Sequence, residues 1–330
     1  MRKLFSALLV ICIIFSICSC TAVSNESENG KLKILCTLFP QYDWIKNITA
    51  GAENVEVSLI IANGTDPHSY QPTAADIMNI SNCDMIVYVG GDSDTWVKKA
   101  IERSKNQDLT EIALAELEDI KLHNISSSSH SHEGHSHSED SHKGHAHSAL
   151  DEHLYLSLKN ACTAVSKLAN KLCKADPNNS ELYLKNSLEY TLKLTNLSET
   201  FASEVVKIPE HDRFIMFADR FPFVYLLSDY GIHYAAAFEG CTTDVDADFD
   251  TVIRLIHEAD EHNVKYIAVT ESSDKALANT IISSTATKDQ KIITLNSMQS
   301  ITRSQIDNGA TYLSIMKENI NKVRTALGLS

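Results

Sequence analysis

Twice along this chain, short apolar runs rich in β-branched residues alternate with stretches of helical periodicity. In the first half, Lys31 to Leu38, Val55 to Ile61 and Asp84 to Gly90 read as strands. Helices are expected over Gln41 to Ala50 and over Pro72 to Ser81, the second opening on proline. In the second half the strands are Phe214 to Ala218, Ile232 to Phe238, Lys265 to Thr270 and Lys291 to Leu295. Their helices are Phe221 to Tyr230, Phe249 to His262, Asp274 to Ser284 and Thr311 to Ala326. A strand–helix rhythm of this kind builds a parallel sheet covered by helices. Between the halves lie Leu154 to Lys174, stopped by Asp176-Pro177, and then Glu181 to Val206. In the latter, Leu182, Leu188, Leu192, Leu197, Phe201 and Val205 keep an approximate helical period. A helix of that length reaches about 39 Å, the length of a whole lobe. The expected fold is therefore α/β: two lobes with mainly parallel sheets, joined by one long rigid helix, with any ligand site in the cleft. Residues 31–177 form the N-terminal lobe, 178–207 the linker helix and 208–330 the C-terminal lobe.

The first residues bear on the compartment. Arg2 and Lys3 precede an apolar run, Leu4 to Ile17, of 14 residues. A membrane-spanning helix needs about 20, so the run suits a signal peptide over 1–19. Ile17-Cys18-Ser19-Cys20 resembles a bacterial lipobox, which would make Cys20 the lipidated first residue of the mature chain. Residues 20–30 are polar and read as a tether. The formal net charge of −14 makes nucleic acid a poor partner. With Cys12 and Cys18 removed and Cys20 lipidated, five cysteines remain, an odd number, and there is no CxxC. Cys162 and Cys173 share one expected helix about 16 Å apart, too far to bridge each other.

Residues 123 to 148 break the rhythm. They are nearly all Ser, His, Gly, Glu and Asp, and hold His123, His130, His132, His135, His137, His142, His145 and His147. Nothing there fills a core, so the segment reads as a flexible loop. Neutral imidazole suits zinc, copper, nickel and iron, whereas calcium and magnesium ask for oxygen. Metal capture is the chemistry this composition serves.

In open α/β sheets ligands bind beyond the carboxyl ends of the strands. The polar residues expected there are the loop carrying His68, then Asp219, Glu239, Glu271 and Asn296. His68 follows a proline-fixed turn, and His153 stands just before a long helix. The stretch GTDPHSYQPTAADI, the histidine-rich loop and the DEHLYLSLKNA that follows it resemble the zinc-binding, ZnuA-type solute-binding proteins of ABC transporters. The likeness runs from about Lys31 to Leu329. It implies capture of Zn2+, with Mn2+ also admitted, as transported cargo rather than cofactor. It implies delivery to an ABC permease and its ATPase by a monomeric, lipid-anchored, extracytoplasmic protein that is not an enzyme. It makes His68 the first metal ligand and His153 the second.

The C-terminal lobe departs from that pattern. The family places His or Glu at the end of its first strand, where this chain has Ala218. Asp219, one residue on, is the natural substitute. Where the family offers a carboxylate after its last strand, Asn296 offers an amide. Glu271 resembles a strand-end carboxylate that lines the cleft, as a ligand or as support for one.

Other signals are weaker. Asp244 to Asp250 alternates carboxylates but lacks the glycine and terminal glutamate of a calcium loop. It reads as the acidic start of the next helix. His257 and His262 are five apart, about 140° around a helix, so they do not share a metal. His211 and His233 have no evident partners. A zinc metalloenzyme is the alternative class, and it needs a general base beside the metal; Glu271 or Glu239 would serve. A surface metal buffer or adhesin without a transporter is the third.

Overall fold

The computed structural model describes residues 30–104, 106–124, 150–238 and 247–329. It holds two four-stranded sheets, every strand pair parallel. The first comprises β1 (Leu32–Cys36), β2 (Val55–Leu59), β3 (Met85–Tyr88) and β4 (Thr110–Ala113), in the order β2-β1-β3-β4. The second comprises β5 (Phe214–Phe217), β6 (His233–Ala236), β7 (Tyr266–Thr270) and β8 (Lys291–Leu295), in the order β6-β5-β7-β8. The two orders are the same. In each, the connection reverses direction beside the first strand, and such a switch point opens a crevice at the carboxyl ends. The central strand β3 is buried at all four positions, as a strand covered on both faces must be.

Helix α1 (Phe39–Ile48) starts with Pro40 in its first turn and buries Trp44, Ile45 and Ile48. Helix α2 (Ala74–Asn82) starts two residues after Pro72, because Thr73 and Asp76 close a reciprocal capping box there. Helix α3 (Thr95–Arg103) and β4 fall where the sequence rhythm gave no signal. The expected helix from Leu154 is divided: Leu154–Leu156 is a 3-10 turn, and α4 (Leu158–Ala175) begins only after Ser157 caps Asn160 N.

Helix α5 (Ser180–Val205) has 26 residues. Of the residues that keep the helical period in the sequence, Phe201 and Val205 are buried. Tyr183, Ser187, Tyr190, Leu194, Ser198, Phe201 and Val205 face inward, whereas Leu188 and Leu192 are exposed. Tyrosines belong on that face because each hydroxyl finds an acceptor or a partner. Tyr183 donates to Asp176 at 2.6 Å and Tyr190 to Asp43 at 3.0 Å. The remaining helices are α6 (Val224–Ser228), α7 (Phe249–Glu261), α8 (Ala276–Ser284), α9 (Arg303–Asp307) and α10 (Tyr312–Ala326).

One continuous apolar core runs through both lobes, from Ile34 and Val87 of the first sheet through α4 and α5 to Phe217 and Leu295 of the second. Each sheet packs its opposite face on its own helices, Val97 of α3 on one side and Leu255 and Ile281 on the other. The C-terminal helix α10 closes back on the first lobe. Tyr312 sits edge-on against Trp44 at 5.1 Å, its N–H donates to Asp43 at 3.2 Å and its hydroxyl to the Tyr155 carbonyl at 2.7 Å. A core shared in this way resists wide hinge motion between the lobes.

Candidate metal centre

The loops after β2 and β3 and the segment before α4 meet at one place. Asp66 caps the 3-10 turn Pro67–Ser69 by accepting from His68 N at 3.0 Å, so the turn itself aims the His68 ring. Asp94 accepts from Val89 N at 2.7 Å and Gly90 N at 3.1 Å and folds the β3–α3 loop. Burial raises its carboxyl to about 6, against the pull of those two N–H donors. That loop then presents Ser93, whose N–H donates to Glu152 at 2.8 Å. Gly91 makes this approach feasible: a Cβ there would lie 2.3 Å from Glu152 Cγ.

The two imidazoles sit face to tilted face, with Nε2 of His68 and Nε2 of His153 3.4 Å apart. Behind them, His153 Nδ1 lies 2.8 Å from Asp151 Oδ1, an oxygen that also accepts from His153 N at 2.9 Å. A carboxylate only accepts, so the proton is assigned to His153 Nδ1 and the Nε2 lone pair faces forward. His68 Nδ1 meets Ser93 Oγ at 2.7 Å, with the Glu152 carboxylate at 3.9 Å, which favours the same tautomer. His153 is buried at 2% exposure, so this pair is shielded from bulk water. Two forward-facing lone pairs repel unless a cation or a donor stands between them. Zinc–imidazole bonds of 2.0–2.1 Å at a tetrahedral angle put two nitrogens about 3.3–3.4 Å apart. The observed spacing matches.

The group between the rings is Gln299, which the sequence reading did not single out. Its Nε2 lies 2.8 Å from His68 Nε2 and 2.9 Å from His153 Nε2. Gln299 follows β8 by four residues, just beyond Met298, whose φ of +60° bends the chain back into the cleft. A strained non-glycine turn beside a strand end was the signal available, and it lies in conformation rather than in residue type.

The other expected ligands are engaged elsewhere. Asp219 accepts from Arg220 N at 2.8 Å, from Thr270 N at 2.9 Å and from Thr270 Oγ1 at 2.6 Å, tying the end of β5 to the end of β7. Glu271 accepts from Ser297 N at 2.8 Å, Ser297 Oγ at 2.7 Å and Ser300 Oγ at 3.1 Å. It thus staples the loop that carries Gln299. Asn296 Oδ1 accepts from Met298 N within the same loop. Among the described residues, no third His, Cys, Asp or Glu joins the two histidines. Asp219, expected as the C-lobe ligand, is engaged here with donors of its own lobe. Strand-end position put it at the cleft, but unpaired N–H groups of its own lobe claim both of its oxygens. Arg220 crosses the cleft instead, its Nη1 2.8 Å from Asp66 Oδ2.

Of the loop histidines, His123 is held. Its N–H donates to Tyr225 Oη at 2.9 Å and its Nε2 is 3.0 Å from Ser228 Oγ. Asn124 and Leu150 form an antiparallel bridge three residues before His153. His130, His132, His135, His137, His142, His145, His147, Cys20, Glu239 and Cys241 lie outside the described residues. Cys36, Cys83, Cys162 and Cys173 are free thiols. His211, His233 and His257 are exposed surface histidines facing acidic neighbours, and His262 stacks on Phe214 at 3.9 Å.

Two like-ordered parallel sheets, a long helix and paired imidazoles in the cleft define a class: bilobed metal-binding solute receptors. Within it, the chain belongs to the family of the zinc-uptake complex component A, periplasmic (ZnuA), whose pattern matches residues 34–326. It is 32% identical over 332 residues to the high-affinity zinc uptake system protein ZnuA of Bacillus subtilis (strain 168), taking in 99% of each chain. It is 27% identical over 328 residues to the zinc-binding lipoprotein AdcA of Streptococcus pneumoniae (strain ATCC BAA-255 / R6). That match takes in 98% of this chain and 61% of the longer relative. The crystal structure of the Zn(II)-bound ZnuA-like domain of Streptococcus pneumoniae AdcA superposes with a TM-score of 0.69 at 25% identity, covering 90% of this chain and 99% of that one.

Proposed function

We propose that this protein captures Zn2+ in the cleft between its lobes and delivers it to an ABC permease and its ATPase. The observation that carries the reading is the 3.4 Å separation of two Nε2 atoms, each ring backed by a partner at Nδ1. That spacing suits one tetrahedral zinc, and carboxylate or hydroxyl backing raises the basicity of a ligating imidazole. His68 and His153 are the first two ligands. Asp219 and Glu271 support the lobe rather than the ion. A zinc hydrolase needs a base free to take a proton from bound water, and Glu271 is occupied by two serines. Mn2+ is a weaker cargo, because imidazole favours zinc.

The rest of the reading follows the sequence. Residues 1–19 export the chain, Cys20 carries lipid, and 20–30 tether a monomer to the outer face of the cytoplasmic membrane. Residues 31–177, 178–207 and 208–330 are lobe, linker helix and lobe. The histidines of 123–148 gather zinc with lower affinity. Among the described residues, no helix is long and apolar enough to cross a membrane.

Calorimetric titration of the chelator-stripped full chain with zinc tests this. One tight site plus weaker equivalents is expected, with the tight site abolished in His68→Ala and in His153→Ala. Unchanged tight binding in both variants overturns it.

A further inference from the structure

We propose that Gln299 sets the metal specificity of this cleft as a neutral ligand beside the two imidazoles. The inference rests on the two-histidine reading above. Two Nε2 lone pairs 3.4 Å apart need something between them. An amide nitrogen carries two N–H donors, and Gln299 Nε2 lies 2.8 and 2.9 Å from the two rings. A carboxylate, which only accepts, would offer no donor to either lone pair. The glutamine can therefore offer one N–H to each Nε2. A half-turn of the amide exchanges nitrogen for oxygen and places Oε1 where the N–H pair had been.

The loop is built for that position. Glu271 takes hydrogen bonds from Ser297 and Ser300 on either side of Gln299, and Ser297 Oγ also lies 3.2 Å from Gln299 Oε1. Met298 is held at positive φ to turn the side chain inward.

The consequence is a ligand set of two imidazoles and one amide, without formal charge. Hard Mn2+ prefers carboxylate and water, whereas zinc accepts nitrogen. The site discriminates against manganese by withholding a carboxylate. The same set holds zinc less tightly than a charged one would, which suits a protein that must hand its ion on.

Zn2+, Mn2+ and Co2+ alone are the probes, with the full-length chain, Gln299→Glu and Gln299→Ala. Zinc and manganese affinities come from chelator competition, and the cobalt d–d spectrum reports the cleft site apart from the histidine-rich segment. Thermal unfolding of each metal-free variant reports folding separately. Gln299→Glu is expected to gain at least tenfold in Mn2+ affinity, more than it gains for Zn2+, and to alter the cobalt spectrum. Gln299→Ala is expected to lose about tenfold in Zn2+ affinity. A folded Gln299→Ala with the parental zinc affinity and cobalt spectrum overturns the proposal, as does a Gln299→Glu variant with the parental preference for zinc over manganese. If either occurs while His153→Ala still abolishes tight binding, the two-histidine reading stands without this inference. If His153→Ala binds as tightly as the parent, that reading itself falls.

Discussion

The two sides of the cleft are built on the same strand order, yet they use their polar residues in opposite ways. On the first lobe, Asp151 and Ser93 stand behind His153 and His68 and push two lone pairs outward. On the second, Asp219 and Glu271 satisfy N–H and O–H groups of their own lobe, at the end of β7 and in the loop after β8. The difference teaches that a strand end supplies a position, while the supply of unpaired backbone donors decides whether a carboxylate there can reach outward. The first lobe holds two imidazole nitrogens side by side; the second braces its own loops and brings one amide up to them.

The largest effect should come from the prepared side. His153→Ala or His68→Ala should lower zinc affinity by three orders of magnitude or more in chelator competition. Asp151→Asn, which keeps the shape but loses the charge behind His153, should cost roughly 10–100-fold. Asp219→Asn should leave zinc affinity within about twofold and lower the thermal midpoint of the metal-free protein, because it weakens the tie from β5 to β7 by about 1–3 kcal/mol. A large zinc defect in Asp219→Asn would erase the contrast between the lobes.

At the seam between lobes, Asp43 offers a pH test. Burial pushes its carboxyl up to about 6, against hydrogen bonds from Tyr190 and the Tyr312 N–H that pull it down. A native value above the unfolded one means that the folded state holds the proton more tightly. Its contribution to stability is therefore full below the unfolded value near 4 and is lost as pH rises through about 6. The penalty above that range is on the order of 3 kcal/mol. Relative to Asp43→Asn, the parent should gain stability on acidification from pH 7 to pH 4, as read by denaturant titration. A difference between the two that does not change with pH would mean that Asp43 titrates normally.

The smallest effect concerns the contact across the cleft. Arg220 and Asp66 are each about one-third exposed, at 35% and 30%, and exposed ion pairs contribute about 0–1 kcal/mol. Arg220→Gln should change zinc affinity by less than about fivefold, chiefly through looser capping of the His68 turn.

Much of the fold was legible in the sequence because β-branched runs and helical periods are local. All seven expected strands form, and the long helix ends within a residue of its expected limits. β4 escaped because Thr110–Ala113 is short and half polar; α3, nine residues with Val97 and Ala100 buried, carries a helical pattern that the reading did not take up. The period read along α5 picked out Phe201 and Val205 of its inward face but not Tyr183, Ser187, Tyr190 or Ser198, whose polar groups break an apolar pattern. The turn position of His68 and the helix-start position of His153 were legible in the sequence; that the two Nε2 atoms meet at 3.4 Å was not. Nor was Gln299, because a glutamine carries no metal signature until Met298 and the Glu271 staple place it between two rings. The sequence shows where the Asp219 carboxylate stands but not the Arg220 and Thr270 donors that surround it.

A crystal structure grown with one equivalent of zinc, with anomalous difference density collected at the zinc edge, tests the central claim most directly. A single cleft peak is expected about 2.0–2.1 Å from both His68 Nε2 and His153 Nε2, with the Gln299 amide oxygen turned toward it. A peak against Asp219, or one that touches only one of the two imidazoles, would contradict it.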